Sequence, residues 1–155
     1  MRFKTEDNQN VNLINHTIEM IKLNPSLIIR IGTDSQNFSD KTKFVTSVVY
    51  RWSGRKGAHY IFIKENINRI KDDYSRLYQE GLKTMQVYDI FRENGIKIDA
   101  LEFDFNNLKK TISYKLVSDF KGWCEGLGEK AIFKSGELIA TKSSDHQCRI
   151  LWNLS

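Results

Sequence analysis

Apolar side chains recur at helical spacing in several stretches of this 155-residue chain. The first stretch ends at Asn24-Pro25, because the residue before a proline avoids the helical conformation. The longest one is followed by Gly95, a residue that suits a helix C-terminus. The pattern predicts helices over Val11–Leu23, about Ile67–Asn94, Leu108–Trp123 and about Gly136–Trp152, the last with Ser135 as its cap.

Short runs rich in β-branched and aromatic residues lie between these stretches and predict strands. The second and third runs are separated only by the turn Ser53–Gly57, which favours an antiparallel hairpin. Gly32-Thr33-Asp34-Ser35-Gln36 follows the end of the first run. The predicted strands are Ser26–Ile31, Phe44–Trp52, His59–Lys64, Ile96–Phe105 and Lys130–Lys134.

The order of these elements predicts an α/β fold. Strands that alternate with helices in the second half imply parallel pairing with right-handed crossovers, whereas the first half implies antiparallel pairing. We therefore expect a mixed five-stranded sheet, with its first three strands antiparallel and the rest parallel, and with helices on both faces. The length fits a single domain over residues 1–155, with a short N-terminal helix at about 11–23 and a core at about 26–152.

Charge and composition narrow the class of partner. The net charge of +5 and the pI of about 9.2 favour polyanionic partners, although a merely solvated basic surface explains them equally well. No apolar run approaches the roughly 18 residues of a membrane span, and Met1–Asn10 has no signal-peptide core. Cys124 and Cys148 suit reduced thiols, so we expect a cytoplasmic protein without a membrane partner.

Two aspartates occupy places where an idle charge is unexpected. Asp34 follows an otherwise apolar strand, and Asp104 stands between aromatic residues near the end of the fourth predicted strand. If these two strands are parallel neighbours, both carboxylates emerge at the carboxyl edge of the sheet, where open α/β sheets place their sites. The alternative is that each aspartate forms a turn. Glu102 shares a face with Asp104, and Asp99 faces the other way.

Two further acids lie on predicted helices. Glu80 stands at the border of the apolar stripe of the long helix, beside Gly81, and Asp73 is its rival two turns earlier. Asp145 lies in the last helix next to serines that leave room for a ligand, and His146 adjoins it as a candidate proton donor. Solvated helix charges are the alternative for both acids.

Carboxylates from separate elements suit hard divalent cations, because Mg²⁺ and Mn²⁺ prefer carboxylate and water oxygens. Two such ions about 4 Å apart stabilise the attacking and leaving oxygens of a phosphodiester displacement. Basic side chains near the first hairpin, on the second long helix and at the end of the fifth strand are candidates for holding a nucleic acid. They are Arg51, Arg55, Lys56, Lys109 and Lys134, with solvated turns and helix faces as the alternative.

Several motifs resemble a known family. Ile31-Gly32-Thr33-Asp34-Ser35-Gln36 looks like the opening motif of the YkuK-like family of predicted ribonuclease H-like nucleases. Arg76-Leu77-Tyr78-Gln79-Glu80, Phe103-Asp104-Phe105-Asn106 and the tract from Gly126 to Asp145 are also similar. The resemblance implies a ribonuclease H-like fold in which Asp34, Glu80, Asp104 and Asp145 are the catalytic residues and hold two Mg²⁺ or Mn²⁺ ions.

The leading hypothesis is therefore a metal-dependent nuclease that hydrolyses RNA, DNA or a hybrid. The second is a nucleic-acid-binding module that keeps the fold without the catalysis. The third is a small-molecule phosphatase or a protein-interaction domain on the same scaffold, because a fold does not determine a function. The sequence contains neither a Walker loop nor a dinucleotide fingerprint, which disfavours phosphoryl transfer from a nucleoside triphosphate.

Overall fold

The structure is a computed structural model that describes residues 1–53, 57–105, 114–134 and 137–150. It consists of a mixed sheet with helices on both faces. Seven strands and four helices occur in these residues. The strands are Phe3–Thr5 (β1), Asn10–Val11 (β2), Ile28–Phe38 (β3), Lys41–Arg51 (β4), Ala58–Asn68 (β5), Ala100–Glu102 (β6) and Ala131–Ile132 (β7). The helices are Leu13–Leu23 (α1), Asp73–Glu93 (α2), Tyr114–Gly126 (α3) and Ala140–Ile150 (α4).

The sheet has the order β2-β1-β5-β4-β3-β6-β7. Strands β3, β4 and β5 are antiparallel, whereas β6 and β7 continue in parallel from β3. The α/β class and the antiparallel-then-parallel order are thus confirmed, but the predicted number of five strands is wrong. The two additional strands, β1 and β2, form an N-terminal hairpin next to β5. Strands of three and two residues carry too little alternation for a pattern to reveal them.

Strand β3 continues well beyond its predicted end at Ile31. It pairs with β4 over its whole length to Phe38, so Gly32–Gln36, which was predicted to follow the strand, is part of it. Polar residues fit there because they find partners: the Thr33 hydroxyl lies 2.9 Å from that of Thr46 and 2.8 Å from that of Thr84. Asp34 therefore lies inside a strand rather than in a turn.

Other helices and strands also begin or end at residues that differ from the predicted ones. Strand β5 runs to Asn68, so α2 begins at Asp73 rather than at Ile67. The Asp72 carboxylate caps α2 by accepting a hydrogen bond of 2.8 Å from the Ser75 amide. The predicted strands Ile96–Phe105 and Lys130–Lys134 are reduced to β6 and β7. The predicted start of the third helix at Leu108, and Ser135 as the cap of the last, lie outside the described residues.

The core has two parts because side chains alternate along the strands. Ile29 and Ile31 of β3 face the side of the sheet that carries α1, α2 and α3. Val45 and Val49 of β4 face the other side, where they pack against Ala140 of α4. Both cysteines are free and buried. No helix in the described part of the chain combines the length and the apolar character of a membrane span.

Helices α2 and α3 approach each other closely at Gly81. A Cβ atom at this position would lie 2.2 Å from Cζ of Phe120, a ring that is 1% exposed. The packing of these helices therefore requires a residue without a side chain at this point of α2, one residue after Glu80.

We predict that Gly81→Ala lowers the free energy of unfolding by about 1–3 kcal/mol, because a buried methyl group would overpack the interface. Gly122→Ala is the matched control: a Cβ there meets no atom of the described residues within 4 Å. Since alanine favours helix over glycine, we expect that control to be up to about 1 kcal/mol more stable than the parent. Equal stability of both variants in urea denaturation would contradict the packing argument.

Candidate active site

The register of two parallel strands brings Asp34 and Asp104 together. Gly32 of β3 stands opposite Glu102 of β6, and each aspartate follows its strand partner by two residues. Because the side-chain period of a strand is two, both aspartates lie on the α4 face. Strand β6 ends at Glu102, and the cleft opens just beyond that end. The carboxylates therefore meet at the carboxyl edge of the sheet, as the sequence predicts.

Helix α4 brings Asp145 to the same place by close packing on β3. A Cβ atom at Gly32 would lie 2.8 Å from Cγ2 of Thr141, so glycine lets the helix approach. The Ser144 hydroxyl lies 3.1 Å from the carbonyl oxygen of Gly32, to which it donates a hydrogen bond. In this position Asp145 lies close enough to Asp34 for its charge to raise the pKa of Asp34, and its Oδ2 lies 3.1 Å from Nε of Arg149.

A buried carboxylate holds the first turn of α4. Glu102, which is 0% exposed, accepts hydrogen bonds from the backbone amides of Ala140 (2.8 Å) and Thr141 (3.1 Å). Its other oxygen lies 3.6 Å from Nη1 of Arg30. Burial raises the pKa of Glu102, and the amide hydrogen bonds oppose that rise. Glu102, the neighbour of Asp104 on the same face, thus anchors the helix that carries Asp145.

Glu80 approaches the site from α2, on the opposite face of the sheet. The Ser35 hydroxyl donates a hydrogen bond of 2.5 Å to its Oε2, and Nη1 of Arg76 lies 3.5 Å from the same atom. Oε1 has no hydrogen-bond partner within the described residues. Burial, and then the charge of Asp34, raise the pKa of Glu80 well above its usual value.

Asp73, the rival of Glu80, is placed elsewhere. It is the first residue of α2, its side chain is 68% exposed, and it lies 3.4 Å from Nη2 of Arg76. The structure therefore brings Glu80 and not Asp73 next to Asp34. The roles of Ser35 and Arg76 were not predicted, although the spacing of four residues from Arg76 to Glu80 on a helix was a usable signal.

Asp34, Asp104 and Asp145 line one cleft of about 400 Å³, which we call the carboxylate cleft. Burial, and then the nearby charge of Asp145, raise the pKa of Asp34 to about 7, with a smaller contribution from Asp104. Because the carboxylates repel one another, the cleft favours a bound cation or proton. The remaining lining residues are Lys134, Glu137, Leu138, Thr141 and Lys142.

Of the predicted nucleic-acid-binding residues, two lie at or beside the carboxylate cleft and three are outside the described residues. Lys134 is exposed and lines the carboxylate cleft. Arg51 is exposed, and its Nη1 lies 3.3 Å from Oε1 of Glu137, another residue of the cleft. Arg55, Lys56 and Lys109 lie outside the described residues. His146, the candidate proton donor, is exposed on α4 next to Asp145.

The donor atoms of the cleft fit a hard divalent cation in kind. They are carboxylate oxygens, the ligands that Mg²⁺ and Mn²⁺ prefer. Beside the cleft, on the other face of the sheet, Glu80 Oε1 is buried without a hydrogen bond within the described residues. Among those residues, however, no three histidine, cysteine, aspartate or glutamate side chains are gathered as a ready-made metal site. Repulsion between the carboxylates opposes a closer approach.

A family model described as ribonuclease H-like matches residues 10–149, nearly the whole chain. The chain belongs to the ribonuclease H-like family. The family predicted from the sequence motifs is thus confirmed. No curated protein and no solved structure matches the chain. The ribonuclease H-like fold relates the chain to nucleic-acid nucleases, and it agrees with the mixed sheet and the helices on both faces.

We predict that Glu102→Gln destabilises the protein by about 1–3 kcal/mol, because a neutral amide binds the amides at the start of α4 less strongly than a carboxylate. Chemical denaturation measures the effect. Glu125→Gln, which changes an exposed acid of α3, is the matched control and should leave stability unchanged. If both variants unfold at the same denaturant concentration, the anchoring role of Glu102 is wrong.

We also predict that Asp145→Asn lowers the pKa of Asp34 from about 7 while leaving it above the usual 3.8, because burial is the larger cause. An NMR titration of the carboxyl carbons, with a chelator present to remove divalent cations, measures the pKa of Asp34. A raised folded-state pKa stabilises the protein below about pH 4, and this contribution disappears as the pH rises through 7. The variant should therefore lose less stability over that interval. An unchanged Asp34 pKa would exclude electrostatic coupling to Asp145.

Proposed function

We propose that this ribonuclease H-like chain is a metal-dependent nuclease that hydrolyses the phosphodiester bonds of a nucleic acid. The observation that carries the proposal is the carboxylate cleft, where aspartates from a strand, a strand end and a helix meet at one sheet edge. Such convergence raises the free energy of the folded protein unless positive charge compensates it. A site with this disadvantage for stability is typical of function.

In this proposal Asp34, Glu80, Asp104 and Asp145 hold Mg²⁺ or Mn²⁺, with two ions as the expected number. Bound there, the ions would supply the positive charge that stabilises the attacking and leaving oxygens of the displacement. The unbonded Glu80 Oε1 and the elevated pKa of Asp34 support this assignment.

The other residues of the site prepare the carboxylates and attract the substrate. Ser35 and Arg76 bind Oε2 of Glu80, which orients the side chain and leaves its second oxygen available. Lys134 and Lys142 line the cleft and attract the phosphates of an incoming strand. Glu102 keeps α4, and with it Asp145, against the sheet.

A nucleic-acid-binding module without catalysis is the second candidate. It is favoured by the Arg76 guanidinium, which already neutralises part of the Glu80 charge from 3.5 Å. It also agrees with the lack of a preassembled group of three metal-ligating side chains in the described residues. This alternative explains the basic charge equally well but leaves the carboxylate cleft without a use.

The test is cleavage of labelled single-stranded, duplex and hybrid nucleic acids with Mg²⁺ or Mn²⁺. We expect wild type to cleave at least one substrate and Asp34→Asn to be about 100-fold slower or worse. The loss of several kcal/mol of transition-state stabilisation, at tenfold for about each 1.4 kcal/mol, accounts for this magnitude. Asp119→Asn, which changes an exposed acid of α3, is the control and should retain full activity.

Thermal unfolding provides a readout independent of activity. A cation that binds only the folded state raises its stability, so Mg²⁺ or Mn²⁺ should raise the Tm of wild type but not that of Asp34→Asn. Full activity of Asp34→Asn would refute the nuclease proposal. Intact salt-sensitive binding without cleavage by wild type would instead establish the binding module.

A further inference from the structure

A second cleft lies on the α4 face of the sheet, over the neighbouring strands β1 and β5. It has a volume of about 240 Å³. Lys4 stands opposite Phe62 in the β1–β5 pairing, and Lys64 follows Phe62 by two residues. Since side chains two residues apart share a face, both lysines project from the face that α4 covers. This basic cleft, as we call it, is lined by Arg2, Lys4, Asn8, Phe62 and Lys64.

The basic cleft concentrates three positively charged side chains. Arg2, Lys4 and Lys64 are exposed, and no ion pair within the described residues engages any of them. The adjacent acid, Glu65, points to the opposite face of the sheet and pairs with Lys83 of α2. Three cations that form no ion pair within the described residues create a positive potential on this small surface, which favours an anionic ligand.

The basic cleft is in register with the carboxylate cleft. Asp34 pairs with Val45 in β4, and Val45 pairs with Lys64 in β5, so the three residues form one row across the sheet. Two strand spacings of about 4.8 Å separate the first and last residue of this row, or roughly 10 Å. The two clefts are therefore close enough to contact one extended ligand.

Helix α4 lies between the clefts and carries polar and basic side chains on its outer surface. Its C-terminal half reaches β5, where Gln147 Nε2 donates a hydrogen bond of 2.6 Å to the Tyr60 hydroxyl. Lys142, His146 and Arg149, at helical spacings of four and three, form one exposed stripe on its outer surface, in which Arg149 is ion-paired with Asp145 at 3.1 Å. Lys142 also lines the carboxylate cleft, so the stripe begins where that cleft ends.

The chemistry of the basic cleft indicates contacts with phosphates rather than with bases. Its aromatic residue, Phe62, is 3% exposed and therefore offers no surface on which a base could stack. Lysine, arginine and asparagine side chains remain, and these bind phosphate oxygens without reading the sequence. A polyanion with regularly spaced phosphates is the ligand that fits both clefts and the stripe between them.

We infer that the basic cleft binds backbone phosphates of the same nucleic acid that occupies the carboxylate cleft. The strand crosses the outer surface of α4 between the two clefts. This inference rests on the proposed function for the class of ligand, but it concerns binding and not the cleavage step. It assigns to the N-terminal hairpin, through Arg2 and Lys4, a role in holding the substrate.

The test measures how the affinity for a labelled oligonucleotide depends on salt, in the Asp34→Asn background, which prevents cleavage. Single-stranded and duplex probes long enough to reach both clefts are used. Each phosphate contact contributes roughly 0.7–0.9 to the slope of log K against log salt. We expect Lys4→Ala/Lys64→Ala to make the slope shallower by roughly 1.4–1.8, since two such contacts are lost.

Two matched variants serve as controls. Lys22→Ala/Lys97→Ala removes the same charge from exposed lysines outside both clefts and should leave the slope unchanged. Lys4→Arg/Lys64→Arg keeps the charge and should restore the parental slope. Far-UV circular dichroism and Tm establish that each variant is folded.

The outcomes separate this inference from the proposed function. Equal slopes for the two alanine pairs would overturn the inference and leave the nuclease proposal intact. The inference would also be overturned if Lys4→Ala/Lys64→Ala weakened the binding of inorganic phosphate as much as it weakened the binding of the oligonucleotide. The cleft would then be an isolated anion site. No nucleic-acid binding by the parent would overturn both. Binding with the predicted slopes, but no cleavage by wild type, would support this inference alone.

Discussion

The attachment of α4 to the sheet depends on one buried carboxylate. Glu102 accepts hydrogen bonds from the backbone amides at the start of α4. These amides carry partial positive charge and would otherwise lack hydrogen-bond partners in the core. Since a buried ionised group is costly without such partners, helix and carboxylate each require the other. This contact fixes the start of α4, and the close approach at Gly32 and the Ser144 hydrogen bond then hold the turns that carry Asp145.

Much of the fold was predictable because periodicity records which faces are buried. The order of elements and the antiparallel-then-parallel sheet followed from it, as did the meeting of Asp34 and Asp104 at one edge. The full length of β3 did not, because Thr33 and Ser35 suggest a turn when their partners are unknown. Those partners, Thr46, Thr84 and Glu80, come from distant parts of the chain. The N-terminal hairpin was missed because its strands are too short to show a pattern.

Some residues of the candidate site could be predicted from the sequence, and others could not. Residues at strand ends could be identified because a carboxylate beside apolar residues is conspicuous. The choice between Glu80 and Asp73 depended on which turn of α2 contacts the sheet, which helical spacing leaves open. The function of Glu102 was hidden for a similar reason, since its amide partners lie nearly forty residues later in the chain. Tertiary contacts, rather than local propensity, assign these acids to separate tasks.

Because α4 packs closely on β3 at Gly32, part of the motif around Asp34 is required by the fold itself. Gly32 meets a packing demand, and Thr33 joins β4 to α2 through hydroxyl contacts. A related chain without the proposed activity would still need both residues to keep its helices in place. Most of the motif around Asp34 thus reports ancestry and architecture. Within this motif, the carboxylate at position 34 is the group that the proposed function requires in addition to the packing.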